Sequence, residues 1–459
     1  MTQQDGLAAA GGGLVLQPLS AAARRRVSGE LICPPDKSVT HRALIFAAMA
    51  RGQSRILRPL LGADCRSTIG VFRALGVTAQ VHPGMPDKIL VDSPGWDGWR
   101  APLTPLDYGN SGTTARLVTG VFAATPGLFV TAWGDASLSL RPMARVVEPL
   151  RQVGAQISGR DGGRFLPLAV DGCPLHAFHH TVDKPTAQVK SALLLAGLNV
   201  DGETTVTLPA GSRNHTETML QALGAEVLVT FDARTHSETL TVRGPFRPAP
   251  RDYEIPGDPS SAAFFIVLGC LLDGGSIRVR GVLANATRTG FLRVLERMGA
   301  RLTQTTPIFS GAGALEPTMD LTAFGGHPLQ AVDVEPELAP TLIDEIPILA
   351  ALAMSAHGTS RFRGLAELRV KESDRLARTA ALVEAAGGQA RVEGDDLLID
   401  GPVAVKAFRF DPWGDHRLAM AAAVLAKLAD GPCTIVDPTC VDVSFPGFFA
   451  ILASFDKQT

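Results

Sequence analysis

The sequence is short of several features that would announce a function. Its six cysteines, Cys33, Cys65, Cys173, Cys270, Cys433 and Cys440, form no CxxC pair, and no His or Cys lies at zinc-finger spacing from them. That pattern predicts a reduced, cytoplasmic, metal-free protein. No window holds the roughly 18 consecutive apolar residues that a membrane span requires. The opening MTQQDGLAAAGGGLVLQPLSAAARRR carries its basic residues after the apolar stretch, and Pro and Gly interrupt that stretch, so it does not read as a signal peptide. The segment up to about Ala23 is expected to be a loosely ordered extension, and Arg24 to Arg26 a solvated charge run. Neither sign of charge dominates: 43 Lys and Arg against 45 Asp and Glu give a net charge of -2. Nothing global therefore draws in nucleic acid or an anionic membrane, and any anion site must be local. GxxxxGK[ST], GxSxG and HExxH are absent, and no GxGxxG follows a strand pattern, so phosphate recognition of the P-loop kind is excluded. His176, His179 and His180 have no carboxylate or Cys close by in sequence and read as surface residues.

What the sequence does have is repetition. At 459 residues and 46% hydrophobic, the chain is long enough for two or three cores. An amphipathic helix pattern ends in Gly and runs into a β-like stretch around Gly76, Gly154, Gly224, Gly299 and Gly387. The spacing, roughly 70 to 90 residues, suits a small βαβαββ unit better than a solenoid repeat. Each unit also holds an earlier, greasier helix: SVTHRALIFAAMA, SGTTARLVTGVFAA, TAQVKSALLLAGL, SSAAFFIVLGCLL, IDEIPILAALAMSA and HRLAMAAAVLAKLA. Six such helices imply six units, the last incomplete because little chain remains after Pro438. A helix that is apolar nearly all round is buried on all sides, so the layering is expected to be inverted, with sheets outside a helical interior. Three units per domain predict two domains, with chain crossings near Cys33 to Asp36 and Arg251 to Glu254. Residues 1–35 and 252–459 would form a discontinuous lobe and 36–251 an inserted one, with two linking strands as a hinge and an active site in the cleft between.

Polar and charged residues gather where the buried helices begin. Lys37 and Ser38, Asn110, Ser111 and Gly112, Thr186 and Gln188, Ser260 and Ser261, Asp344 and Glu345, and His416 and Arg417 all take such positions. Helix amino ends carry unpaired N–H groups and partial positive charge, so several of them aimed at one gap would bind a polyanion. Simple capping explains an isolated Ser or Thr. It does not explain Lys37, Lys371, Arg375 or Arg417, since a cation at a helix start opposes the dipole. In LRVKESDRL, Lys371 and Arg375 are read as four apart on one helical face with Glu372 between them in sequence.

The segments PDKSVTHR, GNSGTTAR, GDASLSLRPM, TAQVKSALLLAGL, RNHTE, PGDPSSAAFF, NATRTG, IDEIPILA, LRVKESDRL, DHRLAM and SFPGF resemble, in order and over nearly the whole chain, the motif series of the EPSP synthase family. The wording is similar to its class II bacterial subgroup. The resemblance implies a two-domain inside-out α/β barrel of six βαβαββ repeats. It also implies transfer of the enolpyruvyl group of phosphoenolpyruvate to the 5-hydroxyl of shikimate 3-phosphate, by an enzyme acting on small molecules alone and needing no cofactor. Nothing in the sequence suggests a large exposed apolar patch, so a monomer is expected. By the same resemblance Lys37, Gly112, Arg141, Gln188, Arg375 and Arg417 would contact phosphoenolpyruvate. Lys37, Ser38, Arg42, Thr186, Ala187, Gln188, Arg213, Asp344 and Lys371 would surround shikimate 3-phosphate. Asp344 would take the hydroxyl proton, Glu372 would protonate the methylene carbon, and Lys37 would help phosphate depart.

The chain departs from the family pattern at Pro35, Leu117, Thr186 and Ser444, the last standing where many relatives carry a ligand-facing Lys. Two rival readings are kept. A UDP-N-acetylglucosamine enolpyruvyl transferase has Lys-Asn where Lys37-Ser38 stands, and a loop Cys that has no counterpart here. A non-catalytic anion-binding paralogue would have no use for Asp344 and Glu372.

Overall fold

Among the described residues the strands form six small sheets, five of which share one pairing scheme. The computed structural model describes residues 13–82 and 84–457. In each of five units the strand that follows the greasy helix pairs in parallel with a leading strand and antiparallel with the last strand of the unit, which also pairs with the remaining one. Thus Phe129–Trp133 lies parallel to Leu106–Asp107 and antiparallel to Leu168–Asp171, which carries Gln156–Gly159 on its other edge.

Among the described residues the chain divides into two compact units. One, the inserted unit, comprises Pro35–Pro256 and Phe309–Pro317; the other, the terminal unit, takes the chain up to Pro34, then Gly257–Ile308 and the part from Thr318 onward. Each contains three of the six sheets. The second crossing, expected from the sequence near 251–254, falls between Pro256 and Gly257, and 309–317, expected in the terminal lobe, belongs to the inserted unit. Asp252–Glu254 pairs in parallel with Arg51–Leu57 and so belongs to a sheet of the inserted unit. Glu254 also bridges Ala314, which attaches the 309–317 segment to the same unit. The strand Ser28–Ile32, conversely, pairs in parallel with Ser276–Leu283 in the terminal unit.

The greasy helices are Lys37–Met49, Gly112–Ala123 and Ala187–Gly197 in the inserted unit, and Pro259–Leu271, Ile346–Ala353 and His416–Ala426 in the terminal one. Nearly every residue in them is buried. Apolar side chains on all faces leave such a helix no stable surface position. Packing is close where Gly120 of the second helix meets the third: a Cβ there would lie 2.1 Å from the Ala192 carbonyl oxygen. The second, amphipathic helices end on glycines with φ of 96°, 102°, 89°, 82° and 88° at Gly76, Gly154, Gly224, Gly299 and Gly387. That left-handed geometry closes a helix at little cost only when no Cβ is present, and it turns the chain into the following strand.

The amino-terminal segment needs correction. Residues 1–12 lie outside the described residues, but Leu14–Leu16 is a strand antiparallel to Cys433–Ile435 and Ala21–Arg26 is a helix. Leu14, Leu16, Leu19 and Ala23 are buried in the terminal core. The final unit, short of strands of its own, takes this one from the start of the chain. Arg24 is tied down by the Leu428 carbonyl and Asp273, whereas Arg25 and Arg26 are exposed.

Candidate active site

Capping is carried out by residues other than those singled out for ligand contact. Asp36, Ser111, Asp258 and Asp415 accept backbone N–H bonds at the starts of their helices, whereas Thr186 and Glu345, also at cap positions, make no side-chain cap bond. Ser38 lies one residue inside the first helix, beyond its cap. The bland explanation of these helix starts is thus absorbed by four residues, and Ser38 and Thr186 keep their hydroxyls for other work.

In the inserted unit, cations collect around the three helix starts. Lys37 Nζ lies 3.1 Å from Asp64 Oδ2. Buried Arg42 donates from Nε to Thr216 Oγ1 at 2.7 Å, from Nη2 to Ser191 Oγ at 2.9 Å and from Nη1 to the Ser38 carbonyl at 3.0 Å. Burial pulls its pKa down to about 10, with Arg213 near enough to push in the same direction and Glu217, Asp36 and Glu316 opposing. Arg141 donates to Asn110 Oδ1 at 2.8 Å and to Ser137 Oγ at 3.2 Å, while Asn110 donates to Asp135 at 2.6 Å. Arg116 Nη1 donates to Gln188 Oε1 at 2.7 Å and Nη2 to the Pro142 carbonyl at 3.3 Å. Gly112 opens the second helix, and a Cβ on it would stand 2.8 Å from Arg116 Nη1 and 3.7 Å from Arg141 Nη1. Ala187 opens the third, next to Gln188.

In the terminal unit carboxylates predominate. Asp344 Oδ1 is 3.5 Å from Lys371 Nζ and 3.1 Å from Arg375 Nη1, and its Oδ2 is 3.6 Å from Arg417 Nη2. Arg417 also donates to the Asp344 carbonyl at 3.3 Å and lies 3.9 Å from Glu345. Arg375, 1% exposed, holds Asp415 through Nε at 2.8 Å and Glu372 through Nη2. Burial opposes its charge, but Asp415, Glu372 and Asp344 outweigh that and raise its pKa. Three cations and four carboxylates therefore interlock, in contrast to the Arg-rich starts of the inserted unit. Glu345 accepts from Ser260, and Arg288 donates to Asp258 at 2.7 Å and to Ser260 at 3.2 Å, so the beginnings of two buried helices are knitted together.

One expected feature is absent: Lys371 and Arg375 do not share a helical face. A 3-10 turn ends at Val370, Lys371 is extended, and the helix starts only at Arg375, capped by Asp374. The two cations meet instead through Asp344. Ser444, at the position of the missing lysine, is buried, and Leu117 points into the core. Asp415, Asp64 and Arg116 were not singled out from the sequence, although DHRLAM and GNSGTTAR contain two of them. An Asp immediately before a helix reads as a cap, which hides its second duty toward Arg375. Among the described residues no group of three or more His, Cys, Asp or Glu is arranged to hold a metal ion. No helix among them is long and apolar enough to cross a membrane.

A family model for EPSP synthase (3-phosphoshikimate 1-carboxyvinyltransferase) matches residues 21–452. A 3-phosphoshikimate 1-carboxyvinyltransferase of Gloeothece citriformis is 44% identical over 427 residues, 93% of either chain. One of Shouchella clausii is 41% identical over 428 residues, covering 93% of this chain and 96% of its own. Among solved structures, EPSP synthase from Acinetobacter baumannii superposes with a TM-score of 0.83 at 33% identity over 97% of this chain and 98% of that one. The enolpyruvyl transferase NikO from Streptomyces tendae, at 20% identity and a TM-score of 0.74, shares the fold. The inverted α/β architecture, the order of the motifs and these likenesses agree, and the chain belongs to the EPSP synthase family.

Proposed function

We propose that Lys37, Asp344 and Glu372 carry out the enolpyruvyl transfer of this family, moving the carboxyvinyl group of phosphoenolpyruvate to the 5-hydroxyl of shikimate 3-phosphate. The observation that carries this reading is Asp344, a carboxylate with Lys371, Arg375 and Arg417 at 3.1 to 3.6 Å. Opposite charges at that range favour its ionised form, the form able to accept a proton. Asp344 takes the hydroxyl proton as the oxygen attacks C2 of phosphoenolpyruvate, and Glu372 protonates C3, which becomes a methyl group. The product of addition is a tetrahedral ketal phosphate. Glu372 then takes back a methyl proton, the C–O bond to phosphate breaks, and Lys37 neutralises the departing group.

Lys37, Gly112, Arg141, Gln188, Arg375 and Arg417 bind phosphoenolpyruvate, whose carboxylate and phosphate suit forked guanidinium donors. Ser38, Arg42, Thr186, Ala187, Gln188, Arg213 and Lys371 bind shikimate 3-phosphate, with Arg213 at its phosphate. The enzyme works as a cytoplasmic monomer, and its six free cysteines fit a reducing compartment. Phosphate release tests the reading. It should require both shikimate 3-phosphate and phosphoenolpyruvate; release with UDP-N-acetylglucosamine in place of the former, or no release at all, would overturn it.

A further inference from the structure

Lys190 has no part in the chemistry just described, yet it is the most deeply buried ammonium near it. Its side chain is 0% exposed, and Nζ donates to Glu217 Oε1 at 2.6 Å and to Glu238 Oε1 at 2.9 Å. Ser212 Oγ donates to that same Glu238 oxygen at 3.1 Å. Ser212 immediately precedes Arg213, and Glu217 lies in the first turn of the helix His215–Ala222 that follows it. From the next position on the Lys190 helix, Ser191 Oγ is 2.6 Å from Thr216 Oγ1, and Arg42 donates to both hydroxyls. The segment 212–217 is therefore clamped on either side of Arg213, at Ser212 through Glu238 and at Thr216 and Glu217 through the third buried helix.

A buried cation paired with one buried carboxylate, Glu217, and one partly exposed one, Glu238, is a poor device for stability alone, since well-packed apolar side chains of similar volume serve as well or better. It does fix direction, because Lys190 accepts no other arrangement of its two partners without leaving a charge unpaired in the interior. We infer that Lys190, acting through Glu238 and Glu217, is a positioning residue that holds Arg213 ready for the phosphate of shikimate 3-phosphate. The inference rests on the reading of Arg213 given under the proposed function. Lys190 also follows Gln188 by two residues on one helix, so the strut and a proposed contact to both substrates share a rigid element.

Steady-state kinetics on the full chain test it with Arg213→Ala, Ser212→Ala and Lys190→Met, each accompanied by a thermal melt. A hydrogen bond to a charged group is worth about tenfold in binding. Arg213→Ala should raise KM for shikimate 3-phosphate by about tenfold or more. Ser212→Ala and Lys190→Met should raise the same KM several-fold while kcat and KM for phosphoenolpyruvate stay within about twofold, and Ser212→Thr, which restores the hydroxyl, should recover it. A purely structural role would depress all parameters together and would give no recovery with Ser212→Thr. If Arg213→Ala raises KM for shikimate 3-phosphate but Ser212→Ala and Lys190→Met do not, the positioning role is wrong and the reading of Arg213 stands. If Arg213→Ala leaves that KM unchanged, the reading of Arg213 is wrong and the positioning role goes with it. Should Lys190→Met fail to fold, the Ser212 pair decides alone.

Discussion

Arg375 Nη1 donates to Asp344 Oδ1 across 3.1 Å, with the guanidinium 1% exposed. The proposed base is thus held from below by a buried cation that is itself shared with Asp415 and Glu372. Taking away Arg375 would remove a cation shared by three carboxylates, Asp344, Glu372 and Asp415, the last of them 0% exposed.

Arg375→Met should accordingly destabilise the chain by about 3–5 kcal/mol, the range for breaking a buried ion pair from one side. Chemical denaturation would measure this. Arg375→Lys should recover only part of the loss, because a point charge cannot satisfy partners spread around a planar fork.

Glu372 is more accessible, 22% exposed, and pairs with Arg375. Glu372→Gln should keep the melting temperature within a few degrees while lowering kcat by about 10²- to 10⁴-fold, the range for removing a general acid. Near-normal phosphate release would remove Glu372 from the mechanism.

At Gly112 an added methyl group would meet Arg116 Nη1 at 2.8 Å, and that nitrogen is engaged with Gln188. Gly112→Ala should therefore displace Arg116 and Gln188 and raise KM for phosphoenolpyruvate several-fold, with little change in thermal stability. Equal KM values for the two proteins would show that Arg116 yields without cost.

His41 supplies a pH dependence. It is fully buried, bonded through Nδ1 to Thr68 Oγ1 at 2.7 Å, and Nε2 has no partner among the described residues. Burial, the leading cause, and the charges of Lys37 and Arg42 lower its pKa to about 3, against opposition from Asp64 and Asp36. Between pH 6.5 and 3 the unfolded chain binds the proton that the folded chain refuses, so stability falls as pH drops through that window. By pH 5 the loss from this group should reach about 2 kcal/mol. Urea unfolding at pH 7 and pH 5 should show a smaller difference for His41→Gln than for the wild type.

Deleting residues 1–20 removes the strand Leu14–Leu16 and with it three buried leucines of the terminal core, Leu14, Leu16 and Leu19. At about 1.5–3 kcal/mol for each leucine, the deletion should cost several kcal/mol and lower the melting temperature sharply. An unchanged melt would mean that Cys433–Ile435 is stable without its antiparallel neighbour.

Much of this molecule is written locally. The five glycines from Gly76 to Gly387 follow amphipathic helices because only a residue without Cβ closes them so cheaply, and the six greasy helices are buried because no face of them suits water. Short-range signals of this kind specify the repeat, the inverted layering and the placing of Lys37, Asp344 and Arg417 each at or just before the start of its own buried helix. They mislead where a local pattern has two solutions. In LRVKESDRL the spacing of Lys371 and Arg375 fits a helix, yet Asp374 caps a helix that begins only at Arg375.

Other features were decided by tertiary structure alone. That Asp252–Glu254 joins Arg51–Leu57, that Leu14–Leu16 completes the last unit, and that Asp415 holds Arg375 all depend on partners brought together from 40 to more than 400 residues apart. Strand pairing and charge contacts need only proximity in space, whereas capping and amphipathicity need neighbours in sequence. The sequence by itself therefore determined the repeating units, and the folded chain determined which strand closes each sheet and which carboxylate answers each buried cation.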